Sequence, residues 1–148
     1  MNRIGYYMKR YLILTTATDA VTSKLLRELD IYTAEKYCLI QSSLLENYQK
    51  QYKGIRFIDI NRESFYNMPE SILDDIKKIH FDIVYVPVTN VRATNYGHVL
   101  EIINKLDYGE IVFYNCKGEK SVIEKKGRLQ EKLIKMYINL IGCLYAGR

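Results

Sequence analysis

Five short apolar runs alternate with helical patterns along this chain, and that alternation limits the folds open to it. The runs are YLILTT (Tyr11 to Thr16), KYCLIQ (Lys36 to Gln41), IRFIDI (Ile55 to Ile60), FDIVYVPV (Phe81 to Val88) and EIVFYN (Glu110 to Asn115). They are rich in β-branched and aromatic residues and read as strands. Between the first two, Val21, Leu25 and Leu29 recur at four-residue spacing, with Ser23, Lys24, Arg27 and Glu28 on the other side, as an amphipathic helix requires. SLLENYQKQYKG sets Ser43 and Glu46 in capping-box spacing, stacks Leu45, Tyr48 and Tyr52, and reaches Gly54, a residue suited to a left-handed helix end.

Pro69 suits a first helical position; Ile72, Leu73, Ile76 and Ile79 then form one face, opposite Asp74, Asp75, Lys77 and Lys78. A fourth helix, capped by Asn95, places Val99, Ile103 and Leu106 on one side. Strand and helix alternating in this way imply parallel strands with right-handed crossovers and helices on both faces. Continuous apolar runs fit, because parallel strands are buried on both sides. The expectation is an α/β, Rossmann-like three-layer sandwich: a five-stranded, mainly parallel sheet over residues 1–118, then a basic, apolar helical segment over 119–148.

Within that last segment two readings of the start stay open. Gly118 can turn the chain into a short antiparallel hairpin through Ser121 to Ile123, or Ser121 and Glu124 can open a helix as a capping box. From about Arg128 onward Leu129, Leu133, Leu140 and Leu144 recur at helical spacing. Leu133 to Ala146 holds one charge but falls short of the roughly 20 residues needed to span a bilayer. Such a helix packs on the core, on a partner or on a membrane surface.

Of the net charge of +5, residues 119–148 carry +4, from seven cations and three anions, and residues 1–118 carry +1. A charge so localised fits an acidic partner such as a membrane surface better than a domain shaped for nucleic acid. The early apolar run is too short for a signal-peptide core. Cys38, Cys116 and Cys143 are odd in number and widely spaced, which suggests reduced thiols in a cytoplasmic protein and no zinc site. His80 and His98 stand 18 positions apart, which argues against metal catalysis.

In an open parallel sheet, ligands bind beyond the carboxyl ends of the strands, above all where the strand order reverses. Those ends supply Thr15, Thr16, Thr18 and Asp19; Gln41, Ser42 and Ser43; Asn61, Arg62 and Glu63; Thr89, Asn90, Arg92, Thr94, Asn95 and His98; and Asn115 and Lys117. Thr16, Thr18, Ser42, Asn90, Arg92, Asn95 and His98 are the candidate ligand-binding residues. Caps account for many Thr, Ser, Asn and Asp residues whether or not a ligand exists; Arg92 and His98 are harder to explain in that way. TTATDA lacks the glycines of a dinucleotide fingerprint or a P-loop, and no glycine-flanked serine elbow is present. A hydroxyl-lined phosphate loop at TTATD is a weaker option. No catalytic residue, metal or cofactor is assigned.

The segment FDIVYVPVTNVRATNYGHVLEIINKL resembles the strand, polar acceptor-side loop and helix of the amino-terminal Rossmann-like domain of GT-B type glycosyltransferases and related bacterial polysaccharide-assembly proteins. The likeness extends loosely over Lys9 to Gly118. It implies a sugar or nucleotide-sugar ligand at the crevice and, because that family grips the donor mainly with a second Rossmann domain, a second glycosyltransferase subunit as partner. It places the protein in the cytoplasm, peripheral at the inner membrane face through the basic tail. The alternative is a non-enzymatic α/β interaction or scaffold protein that homodimerises through its C-terminal helix.

Overall fold

The computed structural model describes residues 7–65, 68–88 and 97–124. Six strands and four helices lie within them: β1 Arg10–Leu14, α1 Asp19–Leu29, β2 Glu35–Ile40, α2 Ser42–Gln51, β3 Ile55–Asp59, α3 Glu70–Ile76, β4 His80–Val88, α4 Gly97–Asn104, β5 Asp107–Asn115 and β6 Lys120–Glu124. The sheet order is β3-β2-β1-β4-β5-β6. The first five strands pair in parallel and β6 runs antiparallel to β5. This is a Rossmann-like, doubly wound arrangement in which the winding reverses between β1 and β4.

The two faces of the sheet are covered by different helices, and the pleat of each strand divides its side chains between them. Leu12 and Leu14 join Ile72, Leu73 and Ile76 of α3 and Val99, Leu100 and Ile103 of α4 in one core. Tyr11 and Ile13, on the opposite face, join Val21, Leu25 and Leu29 of α1 and Tyr48 of α2. Period-two alternation between two buried faces leaves β1 with no polar side, hence its unbroken apolar run.

The five-stranded expectation is corrected to six. Gly118, at φ +79°, occupies the left-handed region that glycine enters without steric cost. Asn115 closes the turn: its side-chain oxygen accepts from the backbone N–H of Lys117 at 2.9 Å and of Glu119 at 3.0 Å. The chain then returns along β5, with Tyr114 opposite Lys120 and Glu110 opposite Glu124. Of the two readings of this segment the hairpin holds, and no helix opens at Ser121. Tyr114 donates to Glu28 of α1, which also lies 3.6 Å from Lys120 Nζ, so β5 and β6 are both fastened to the same helix. The C-terminal helix expected from about Arg128 lies outside the described residues.

Three local expectations shift. Ser43 does not form a capping box with Glu46, because α2 is preceded by Gln41 at the cap position and Ser43 bonds instead to Glu63. Gly54 is not in the left-handed region; α2 ends at Gln51, and Tyr52 follows it in extended backbone. Pro69 is the residue before α3, not its first helical residue.

Candidate functional site

The carboxyl ends of β1, β2 and β3 and the amino ends of α1 and α2 form one edge of the sheet, joined at the reversal point by the end of β4. Thr15 and Thr16 leave β1 there. Thr15 is buried, and its hydroxyl donates to Leu39 O at 3.0 Å and to Gln41 Oε1 at 2.5 Å, while Gln41 Nε2 donates to Thr15 O at 3.0 Å. Gln41 therefore reads both polar groups of Thr15 and fixes the end of β2 to the end of β1. Thr16 turns the other way: its hydroxyl donates to Pro87 O at 2.8 Å, across the reversal to β4. The peptide N–H of Thr16 donates to Leu14 O at 2.8 Å, so the strand ends in a tight turn before the helix begins.

Thr18 stands at the cap position of α1 in extended backbone and makes no side-chain cap bond. Capping thus does not account for its presence in this loop. The first turn of α1 instead contains Asp19, whose carboxylate accepts from Tyr48 Oη at 2.5 Å and from Ser23 Oγ at 3.3 Å. Burial raises the pKa of Tyr48, and the hydrogen bond to Asp19 raises it further, so this phenol stays a donor.

Ser42 opens α2 and donates to Asp59 Oδ1 at 2.6 Å; the same oxygen accepts from the N–H of Asn61 at 2.7 Å. Asn61, at φ 59°, is a non-glycine residue in the left-handed region, and the Asp59 side chain supports that turn. Ser43 donates twice to Glu63, through its hydroxyl and through its backbone N–H at 3.2 Å. Sequence reading did not single out Asp59, which sits at the end of an apolar strand. The signal that marks it is the Asp-x-Asn spacing, which favours this kind of turn.

His98 is the second residue of α4, the helix that follows β4, and is half-buried. Of the candidate ligand-binding residues, Thr16 sits at the reversal, Thr18 and Ser42 share its edge, and His98 begins the helix beyond β4. Asn90, Arg92 and Asn95 lie outside the described residues.

The opposite, amino-terminal edge carries a second polar cluster. Asp82 accepts from Tyr7 Oη at 2.8 and 3.0 Å and from the N–H of Arg10 at 2.9 Å. His80 lies 3.0 Å from Asp107 and 3.7 Å from Asp82. Burial acts to raise the Asp82 pKa, but the Arg10 N–H, the Tyr7 hydroxyl and the nearby His80 and Lys9 together bring it below the ordinary carboxylate value. The cluster ties the chain before β1 to β4 and β5. The two histidines thus stand at opposite edges of the sheet, and among the described residues no group of three or more His, Cys, Asp or Glu side chains is arranged to hold a metal ion.

Fold and crevice together define an α/β domain of the doubly wound class. No family model matches the chain, and no curated protein does. Among solved structures it is similar to the CurJ carbon methyltransferase, in its selenomethionine-substituted crystal structure, at 15% identity and a TM-score of 0.48. The match covers 88% of this chain and 33% of that one, so the chain spans about a third of that protein's length. A likeness at this level transfers neither an activity nor a ligand. Among the described residues no helix is long and apolar enough to cross a membrane.

Proposed function

We propose that this chain is a glycosyltransferase-related domain, similar to the amino-terminal domain of GT-B enzymes, that works in bacterial surface polysaccharide biosynthesis with a partner supplying the second Rossmann domain. The observation that carries this reading is the Thr16 to Pro87 hydrogen bond at the β1/β4 reversal, which puts the hydroxyl-rich end of β1 beside the strand whose sequence resembles that family. Such a reversal opens a crevice between loops running to opposite faces of the sheet, and ligands of doubly wound folds bind there. In this reading Thr16, Thr18, Ser42, Asn90, Arg92, Asn95 and His98 line a site for a sugar or nucleotide sugar. The basic, apolar residues 119–148 dock on the partner or on an anionic membrane face.

Affinity capture with a tagged full chain from its native cells, analysed by mass spectrometry, tests the reading. A co-purifying protein with a sugar-nucleotide-binding Rossmann domain supports it. Recovery of no such protein, together with no binding to anionic liposomes, ends it.

A further inference from the structure

β6 closes one side of the sheet, and among the described residues no strand lies beyond it. Its main chain is paired with β5 on one side only. Asn115 N–H donates to Glu119 O at 3.1 Å, which marks the first hydrogen-bonded pair of the hairpin. Antiparallel ladders alternate, so Phe113 with Ser121 and Ile111 with Ile123 are the next such pairs. Lys120 and Val122, opposite Tyr114 and Val112, then turn their N–H and C=O groups away from β5, to the outer edge of the sheet. Glu124, opposite Glu110, is in the same phase. The side chain at the middle of the strand is apolar and open to water, for Val122 is 56% exposed.

Native sheets blunt such edges with a charge, a proline or a bulge inside the strand. β3, at the other side of the sheet, is of that kind: Arg56 lies within it, donates to Tyr37 Oη at 3.0 Å and stands 5.3 Å from the centre of that ring. Paired with itself in antiparallel fashion about Phe57, IRFID sets Arg56 opposite Ile58, a charge against an apolar side chain. β6 behaves differently. KSVIE, paired with itself about Val122, sets valine opposite valine, Lys120 opposite Glu124 and Ser121 opposite Ile123. Centring the pair on Lys120 or on Glu124 instead sets like charges opposite each other, which destabilises a strand pair. The charges therefore favour the register with Val122 at the centre. In that register the outward N–H and C=O groups of Val122 in the two strands face each other, as a hydrogen-bonded pair requires.

From this self-complementarity we infer that β6 pairs with β6 of a second copy of the chain, antiparallel and centred on Val122, so that the two six-stranded sheets become continuous. A two-fold axis relates the copies, and one strand supplies both halves of the contact. Lys120 of each copy stands opposite Glu124 of the other, and the two Val122 side chains meet at the axis. Lys120 Nζ lies 3.6 Å from Glu28 Oε1, which keeps that side chain on the α1 face of the edge. β4 and β5 separate β6 from β1, so the crevice at the β1/β4 reversal stays open in such a dimer, and the pairing is independent of the ligand proposed there.

Sedimentation velocity of the full chain from about 1 μM to about 1 mM tests this on wild type, Val122→Lys and Val122→Pro. Val122→Lys opposes two ammonium groups at the axis, and Val122→Pro removes an N–H that β5 does not use. Wild type is expected to pass from monomer to dimer as concentration rises, and both variants to stay monomeric with the circular dichroism of wild type. Glu124→Lys is also expected to lose the dimer, and an equimolar mixture with Lys120→Glu to regain it, because each lysine then faces a glutamate. A wild type that stays monomeric throughout overturns the inference. A dimer that both Val122 variants retain overturns it too, since that dimer is built on another surface. A mixture that stays monomeric overturns the register.

Discussion

The Thr16 hydroxyl donates to the Pro87 carbonyl at 2.8 Å, bonding the last turn of β1 to β4 where the sheet reverses its winding. The partners are 71 positions apart, and their bond ties the end of β1 to the end of β4.

Thr16→Val keeps the shape of the side chain and removes that donor. A buried or half-buried carbonyl left without its partner lowers stability by about 1 kcal/mol. Urea unfolding is expected to show the loss in Thr16→Val and its recovery in Thr16→Ser, which restores the hydroxyl. Equal midpoints for Thr16→Val and wild type would remove the bond from any structural role.

Gly109 lies across from Asp82, and a Cβ added there would stand 2.8 Å from the Asp82 carbonyl oxygen. The obstacle is backbone, so it cannot rotate away, and β4 and β5 would have to separate locally. Gly109→Ala is expected to cost about 1 to 3 kcal/mol, the range for overpacked sites. Thermal unfolding measures it; an unchanged melting temperature would mean that the strands part without cost.

Asp82 has a lowered pKa in the folded chain, through the Arg10 N–H and the Tyr7 hydroxyl acting against its partial burial. A carboxyl whose folded pKa lies below its unfolded value, about 3.9 for Asp, contributes stability that is present above that value and lost as pH falls through the folded one. Denaturant midpoints at about pH 5 and about pH 3 bracket that loss. Wild type is expected to lose more stability between them than Asp82→Asn does. Equal losses would show that this carboxyl is not the source.

Cys38 is buried and Cys116 exposed, both as free thiols. Burial pushes the Cys38 pKa far up, which keeps it a thiol and unreactive. Brief alkylation of native protein followed by peptide mass spectrometry is expected to modify Cys116 and spare Cys38 until denaturant is added. Rapid modification of native Cys38 would contradict the packing of β2 against α1 and α2.

Much of this fold was legible because burial leaves a pattern. Ile83 to Val88 is apolar throughout since β4 lies between β1 and β5 with a helical layer on each side, and the observed strand differs from the reading, Phe81 to Val88, only by the addition of His80. β6 was harder. Gly118 before Lys120 to Glu124 allows a hairpin while Ser121 and Glu124 have the spacing of a helix start, and what decides between them is pairing with β5 after the Gly118 turn. A local pattern does not contain that partner.

The same difference in range explains the site. Strand-end positions can be read off the chain, which is what makes Thr16, Thr18 and Ser42 candidates. Their partners could not: Ser43 finds Glu63 twenty residues away in preference to Glu46 three residues away, and Gln41 finds Thr15 across a strand pair. Those distant bonds turn a set of apparent donors into an edge whose hydrogens are already in use.

The proposed function requires a sugar ligand at the carboxyl edge around the β1/β4 reversal. Photo-cross-linking of the full chain with a diazirine-bearing neutral hexose, with adducts mapped by peptide mass spectrometry, tests it most directly. Adducts are expected on the peptides containing Thr16 to Thr18, Ser42 and His98, displaced by excess unlabelled hexose. Displaceable adducts confined to the amino edge, on the peptides containing His80, Asp82 and Asp107, would contradict it, as would the absence of any displaceable adduct.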